Sequence, residues 1–264
     1  LDALGGRHLA LPRGCVIAVK MKRALGLAVS FLLVLQRPAF GGLSDNPADV
    51  PCNFAWRTVL FRPFGMKALE RLELGVAWRG WWFGVSRFGD ARYRESQVAA
   101  AWATSPGKDL RVGLRLRAVE VCIKDFGRRW AFCLDGGLSG LLSEAWSIGI
   151  SLDNPLGFRM GRETLPQVLR MEVAYRPGDV TLKAGVEKEV HFPPLFWATA
   201  TYSAAQGFVL YSGASGQEVW AGMGLCTKGF FLTYRAGYHP ALGISHGICV
   251  GSGYDIEESG NIRL

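Results

Sequence analysis

The segment LERLELGVAWRG, residues 69–80, alternates apolar side chains with small or charged ones at every second position. Leu72, Leu74, Val76 and Trp78 share one face, and Arg71, Glu73, Gly75 and Ala77 share the other. This period of two predicts a β-strand with one apolar face. A soluble sandwich and a membrane barrel have the same period, so the rest of the chain must decide what that face contacts.

The first 41 residues have the pattern of an export signal. Met21-Lys22-Arg23 is followed by twelve apolar or small residues, 24–35, and by small residues at Ala39 and Gly41. This pattern predicts a secretory signal peptide over 21–41, cleaved near Gly41, because the apolar run is too short to cross a bilayer as a helix. A buried N-terminal core helix would leave the basic start unexplained. Residues 1–20 are interpreted as a non-native upstream extension.

Charge and motifs argue against several classes of protein. Removing the leader's six Lys/Arg and single Asp from 30 basic and 22 acidic residues leaves 24 and 21, a net charge of +3. A nucleic-acid partner is therefore not expected. The GxSxG match Gly243–Gly247 continues as a strand instead of entering a helix, so no hydrolase is predicted, and we expect no metal or cofactor site and no enzyme. Cys122 and Cys133 flank a predicted turn, and the sequence leaves open whether they form a disulfide.

Alternation predicts fourteen strands between residues 54 and 254, followed by a C-terminal tail at 255–264. The predicted strands are 54–62, 69–79, 81–88, 97–104, 110–122, 130–142, 146–152, 166–176, 179–188, 196–203, 207–213, 218–226, 229–238 and 243–252. Short turns alternate with mostly longer links at 63–68, 89–96, 153–165, 189–195 and 239–242. An even number of strands with this sorting of connections is typical of an all-β, antiparallel, up-and-down transmembrane barrel of the bacterial outer membrane.

The composition of the two faces also favours lipid contact. Six tryptophans lie on the apolar faces, mostly near strand ends, as in an aromatic girdle: Trp56, Trp78, Trp81, Trp102, Trp130 and Trp146. The opposite faces mix Gly, Ala and Ser with isolated charges, which suits a crowded polar lumen better than a solvated sheet. A secreted soluble β-sandwich or a lipocalin-like binding protein is the structural alternative.

The charged residues of the predicted inner face are the candidate functional surface. They are Arg57, Arg71, Glu73, Arg111, Arg115, Arg117, Asp135, Arg170, Glu172, Lys183, Glu187 and Arg235. Internal salt bridges that hold the lumen together are the favoured interpretation over a ladder of substrate sites. The arginine-rich segment 111–117 would tend to attract anionic groups.

Several short motifs resemble one family of outer-membrane barrels. The segment Asp45-Asn46-Pro47-Ala48 resembles the NPA signature of the PorV/PorQ barrels, which are similar in fold to the FadL fatty-acid transporters. Further similar segments are 86–90 with 93–96, Leu152-Asp153-Asn154-Pro155, and 238–246, which contains His239, Pro240 and His246. The resemblance implies a fourteen-stranded barrel with an N-terminal hatch-like segment, here 42–53, inside it.

The resemblance implies functions of different classes. As in the FadL transporters, the barrel would bind or pass small hydrophobic or amphipathic molecules, with outer-membrane lipid around it. As in PorV, it would instead serve secretion or surface anchoring through protein partners of the type IX secretion system. A purely structural barrel is a third possibility.

Overall fold

The computed structural model describes residues 46–204, 207–216, 218–227 and 229–253. The predicted upstream extension (1–20), signal peptide (21–41) and C-terminal tail (255–264) lie outside the described residues. Within these ranges fourteen antiparallel strands form one closed barrel. They are β1 (Ala55–Arg62), β2 (Arg71–Trp78), β3 (Trp81–Gly89), β4 (Tyr93–Thr104), β5 (Leu110–Ile123), β6 (Gly127–Leu141), β7 (Trp146–Asp153), β10 (Val168–Tyr175), β11 (Val180–Glu189), β12 (Leu195–Ala204), β13 (Phe208–Ser215), β14 (Glu218–Thr227), β15 (Phe230–His239) and β16 (Gly243–Ser252). A small hairpin, β8 (Arg159–Met160) and β9 (Glu163–Thr164), lies between β7 and β10. The barrel closes where β1 pairs with both β2 and β16.

The strands turn their apolar side chains outward. Leu72, Leu74, Val76 and Trp78 of β2 are exposed, whereas Glu73, Gly75 and Ala77 between them are buried. Large apolar side chains are exposed in this way on every strand of the barrel, for example Leu114 at 51%. An apolar outer surface around a polar interior is the arrangement of a barrel that spans lipid. The prediction of a transmembrane antiparallel barrel of about fourteen strands is therefore confirmed.

Both structural alternatives are wrong for this chain. A sandwich would bury the apolar faces between two stacked sheets, and a lipocalin-like barrel has eight strands. Here the fourteen described strands form one closed sheet, and its apolar face is the outer one.

The two ends of the barrel differ in their connections and in their outward side chains. We call the end with the links 63–70 and 154–167 the loop end, and the opposite end, where β1 starts, the turn end. Outward aromatic residues cluster at the turn end: Trp56, Trp78, Trp81, Trp102, Trp146, Tyr175 and Tyr202. Trp146 and Tyr175 stack with ring centroids 4.5 Å apart. This is the position of an aromatic girdle at a membrane interface.

The loop end differs from the prediction in two ways. β4 begins at Tyr93, so the predicted long link 89–96 is a turn of three residues, 90–92. β6 begins at Gly127, three residues before its predicted start at 130. Arg94, Glu95 and Ser96 are polar at every position and gave no apolar alternation to mark this strand. The predicted link 153–165 also contains the hairpin β8–β9.

Cys122 and Cys133 do not face each other. Cys122 lies on the outer face of β5, opposite Arg128, while Cys133 is buried on the inner face of β6, opposite Arg117. Both thiols are free. The disulfide that the sequence left open is excluded, because the two side chains lie on opposite sides of the barrel wall.

Candidate functional site

A cluster of paired charges crosses the inner face of β5, β6, β7, β10 and β11. Its centre is Asp135, which is fully buried. The Asp135 carboxylate accepts hydrogen bonds from Arg115 Nε at 2.7 Å, Arg117 Nε at 2.5 Å, Arg117 Nη2 at 2.7 Å and the Asn154 backbone N–H at 3.0 Å. Charge-assisted bonds of this kind are about twice as strong as neutral ones.

The cluster continues through a second carboxylate. Asp153 accepts from Arg115 Nη2 at 3.0 Å and from Arg170 Nη1 at 2.6 Å, and Arg170 Nε lies 3.4 Å from Glu187. We call Arg115, Arg117, Arg170, Asp135, Asp153 and Glu187 the ionic network. Its three guanidinium groups are balanced by three carboxylates. The attraction for anions that was expected of segment 111–117 is therefore largely cancelled by these carboxylates of the barrel wall.

A smaller cluster lies on β1 and β2. Arg57 Nη2 lies 2.5 Å from Glu73 Oε1, and Arg71 Nη2 lies 3.2 Å from Glu73 Oε2. Arg57 and Glu73 are almost completely buried. The pairing holds two adjacent strands together across the inner face.

Aromatic rings lie over glycines on the remaining wall, from β11 through β16 and on β2 and β3. A Cβ added at these glycines would lie between 2.3 and 2.7 Å from a ring atom. The pairs are Trp82 over Gly75 and Gly84, Trp197 over Gly185, Tyr211 over Gly222, Trp220 over Gly213, and Phe231 over Gly251. Because a glycine has no side chain, each ring can lie flat against the backbone. We call these five aromatic residues and their glycines the aromatic wall.

The charged side chain of Arg235 lies against the aromatic wall. The Arg235 guanidinium lies over the Trp220 ring, 4.3 Å from its centroid, and 3.8 Å from Glu218. Tyr211 donates its hydroxyl to the Tyr234 carbonyl at 2.9 Å, which fixes the ring on the wall. The inner surface thus has a polar side whose charges are paired and an aromatic side.

The start of the described chain lies inside the barrel near the turn end. Residues Pro47–Asp49 form a 3₁₀ turn capped by Asn46, whose side chain accepts from the Ala48 N–H at 3.0 Å and donates to the Leu138 carbonyl at 3.0 Å. A Cβ at Gly113 would lie 2.1 Å from the Pro47 carbonyl oxygen, and one at Gly137 would lie 2.0 Å from Asn46 Oδ1. These inward glycines let the segment lie directly on the wall.

The link between β7 and β10 is held against the loop end of the ionic network. Asn154 is fully buried with φ of +49°, and its side-chain amide donates to the Leu165 carbonyl at 2.9 Å and accepts from the Phe158 N–H at 2.8 Å. Leu165 packs on Val119, Ala131 and Cys133 of the inner wall. This link therefore covers part of the loop-end opening above β5 and β6.

All twelve charged residues singled out from the sequence lie on the inner face of the barrel wall. Beyond those already described, Arg111 donates to the Val50 carbonyl, Glu172 lies beside Gly149, and Lys183 is buried. Their role in function stays a prediction.

The motif residues have separate positions. Asn46, Pro47 and Ala48 are internal, whereas His239 and Pro240 lie at the loop end, where the Phe64 ring packs edge-on against His239. His246 faces outward and is hydrogen-bonded to the Tyr234 hydroxyl at 2.7 Å.

Sequence reasoning missed several inner-face residues. Trp82, Trp197 and Trp220 have the opposite parity to the girdle tryptophans, and each faces a wall that the pattern described only as glycine-rich. Parity could have found them, but their glycine partners depend on the strand register. Asn154 was quoted only as part of a motif, and its contacts depend on the fold of the link.

Comparisons with known proteins place the fold. No family model matches the chain, and no curated protein sequence matches it. Among solved structures, the toluene transporter TbuX of Ralstonia pickettii has a TM-score of 0.63 at 10% identity, covering 81% of this chain and 93% of that one. The P. putida toluene transporter TodX has a TM-score of 0.55 at 8% identity, covering 80% and 93%. The CymD monoaromatic hydrocarbon channel has 0.53 at 11%, covering 77% and 88%. The chain therefore shares the β-barrel fold of these three structures.

Proposed function

We propose that the protein is an outer-membrane channel of a Gram-negative bacterium that binds and passes small hydrophobic or amphipathic molecules. The apolar outer surface supports the placement in lipid. The names of the similar structures, two toluene transporters and a monoaromatic hydrocarbon channel, support the class of molecule.

The aromatic wall is the observation that carries the proposal. Trp197 and Tyr211 are only partly buried on the inner face, with one side of each ring against a glycine. The Trp220 ring, by contrast, is covered by the Arg235 guanidinium. Stacking of an aromatic molecule on such a ring contributes about 0.5–1.5 kcal/mol beyond the area it buries. The charges of the opposite side are already paired, which lowers the cost of bringing an apolar molecule past them.

The test compares inward with outward aromatic residues. The assay measures uptake of labelled toluene by cells that express the protein. Their lipopolysaccharide layer slows the entry of toluene directly through the lipid. Changing Trp197→Ala and Tyr211→Ala together should lower uptake about fivefold to tenfold, since two stacking contacts are lost. Tyr202→Ala, on the outer face of β12, is the matched control and should leave uptake unchanged. If cells that express the unmodified protein take up toluene no faster than cells that lack it, the proposal is contradicted.

The resemblance to PorV and PorQ predicts protein partners instead. The residues that carry much of it, Asn46, Pro47, Asp153 and Asn154, make contacts inside the barrel. Such contacts support a shared fold more than a shared partner. Crosslinking in cells followed by purification tests this role, and repeated recovery of secretion components would favour it over transport.

A further inference from the structure

Three arginines lie on the outer face of β3, β4 and β6 at the loop end. Arg87 of β3, Arg94 of β4 and Arg128 of β6 point outward. On the same strands, the alternating positions Phe88, Glu95 and Ala131 are buried on the inner face. Arg87 and Arg128 are exposed and Arg94 is half-buried. We call these three the basic row.

The strand register places the residues of the basic row close together on the wall. Arg94 and Arg128 are both paired with Cys122 of β5, from opposite sides. Their backbones are therefore about 10 Å apart, twice the spacing of neighbouring strands. Arg87 is opposite Ser96, two residues along from Arg94, which makes Arg87 and Arg94 diagonal neighbours about 7–8 Å apart.

Directly toward the barrel's middle, the same outer faces become apolar. Val85 and Val98 follow on β3 and β4, and Trp130 and Phe132 follow on β6, the last two more than half exposed. A molecule that contacts both levels needs acyl chains against these side chains and an anionic group beside the arginines.

The charge of the basic row is only partly balanced. Arg128 Nη1 lies 3.7 Å from Glu120. In the described parts of the chain, no ion pair within 4 Å involves Arg87 or Arg94. The outward Arg62, by contrast, is bound to Glu70 at 2.6 Å, and Lys188 donates to the Phe192 carbonyl.

We infer that the basic row binds the phosphate groups of an outer-leaflet glycolipid, of the chemistry of lipid A, whose acyl chains lie along the apolar faces below it. A guanidinium group pairs with phosphate through two parallel hydrogen bonds, and exposed arginines at a membrane surface each strengthen binding of an anionic lipid. The inference rests on the outer-membrane placement proposed above, with the loop end outside, and is independent of transport.

The experiment measures lipid binding to the purified full-length protein in detergent by native mass spectrometry. Bisphosphorylated lipid A is compared with its dephosphorylated form, with phosphatidylglycerol and with inorganic phosphate. We expect lipid A to bind, and the double variant Arg87→Gln/Arg94→Gln to bind it about tenfold more weakly. Arg62→Gln/Lys188→Gln removes the same charge elsewhere on the rim and should bind as the unmodified protein does. Arg87→Lys/Arg94→Lys should retain most of the binding.

Several results would overturn the inference. They are equal binding of the dephosphorylated lipid, equal binding of phosphatidylglycerol or inorganic phosphate, and equal losses in the two glutamine variants. Heat-modifiable gel mobility verifies that each variant is folded. Toluene uptake by the same variants separates the two proposals, because loss of lipid binding with normal uptake leaves the transport function intact.

Discussion

Replacing Asp135 with asparagine tests whether the ionic network stabilises the barrel. The Asp135 Oδ2 atom accepts from Arg115 Nε at 2.7 Å and from Arg117 Nε at 2.5 Å. In Asp135→Asn one of the two side-chain oxygens becomes an NH₂ group. If the remaining oxygen keeps its bonds to Asn154 and Arg117 Nη2, the new N–H groups point at two N–H donors.

The size of the effect follows from burial. Breaking one partner of a buried charge pair costs about 3–5 kcal/mol, because the other charge is left uncompensated. Arg115 is 3% exposed and cannot recover this loss from water, whereas Arg117 is partly accessible and can recover part of it. We therefore expect the free energy of unfolding to fall by about 3 kcal/mol.

The assay is urea unfolding of the barrel in phospholipid vesicles, followed by tryptophan fluorescence. Glu172→Gln is the matched control. Glu172 is also an inward carboxylate, but no hydrogen bond or ion pair of it is found among the described residues, so its change should stay within about 0.5 kcal/mol. An unfolding free energy of Asp135→Asn equal to that of the control would refute the reasoning.

Three further predictions concern other parts of the barrel. Gly137→Val places a side chain where the N-terminal segment lies and should raise ion conductance in planar bilayers, whereas Gly136→Val, whose Cβ would have its nearest neighbour at 4.0 Å, should not. Asn154→Ala removes the hydrogen bonds that hold the link between β7 and β10, so trypsin should cut the hairpin β8–β9 about tenfold faster, and an unchanged rate would contradict this role. Leu116→Arg, on the outer face near the middle of β5, should destabilise the barrel by about 2–4 kcal/mol in vesicle unfolding, and Leu110→Arg near the turn end by about 0–1 kcal/mol. Equal costs at the two positions would mean that depth in the membrane does not matter.

The strands and their faces could be predicted from the sequence because each wall position contacts either lipid or an enclosed interior. Leu72 to Trp78 show this directly, since one side of the wall excludes charge and the other accepts it. Alternation is missing at Arg94–Ser96, where the strand extends past the apolar band and both faces are polar. Such a segment has no apolar alternation, and its pairing with β3 and β5 reveals the strand.

The partners within the interior could not be predicted. The sequence indicated that Arg115 and Arg117 face inward, but their common partner Asp135 depends on the register between β5 and β6. In the same way, Trp220 and Gly213 are opposite each other only because β13 and β14 pair in one register. Inward parity is a local property of the chain, whereas pairing is set by the closure of the whole sheet.

The central claim, that the leucine-rich face contacts hydrocarbon, is tested most directly by spin labels placed one at a time at residues 112–117 of β5, in a variant without cysteine reconstituted in vesicles. Collision rates with oxygen, which concentrates in lipid, should be highest at 112, 114 and 116. Rates with a water-soluble nickel complex should be relatively higher at 113, 115 and 117. The same accessibility at all six positions, or the opposite alternation, would contradict the account.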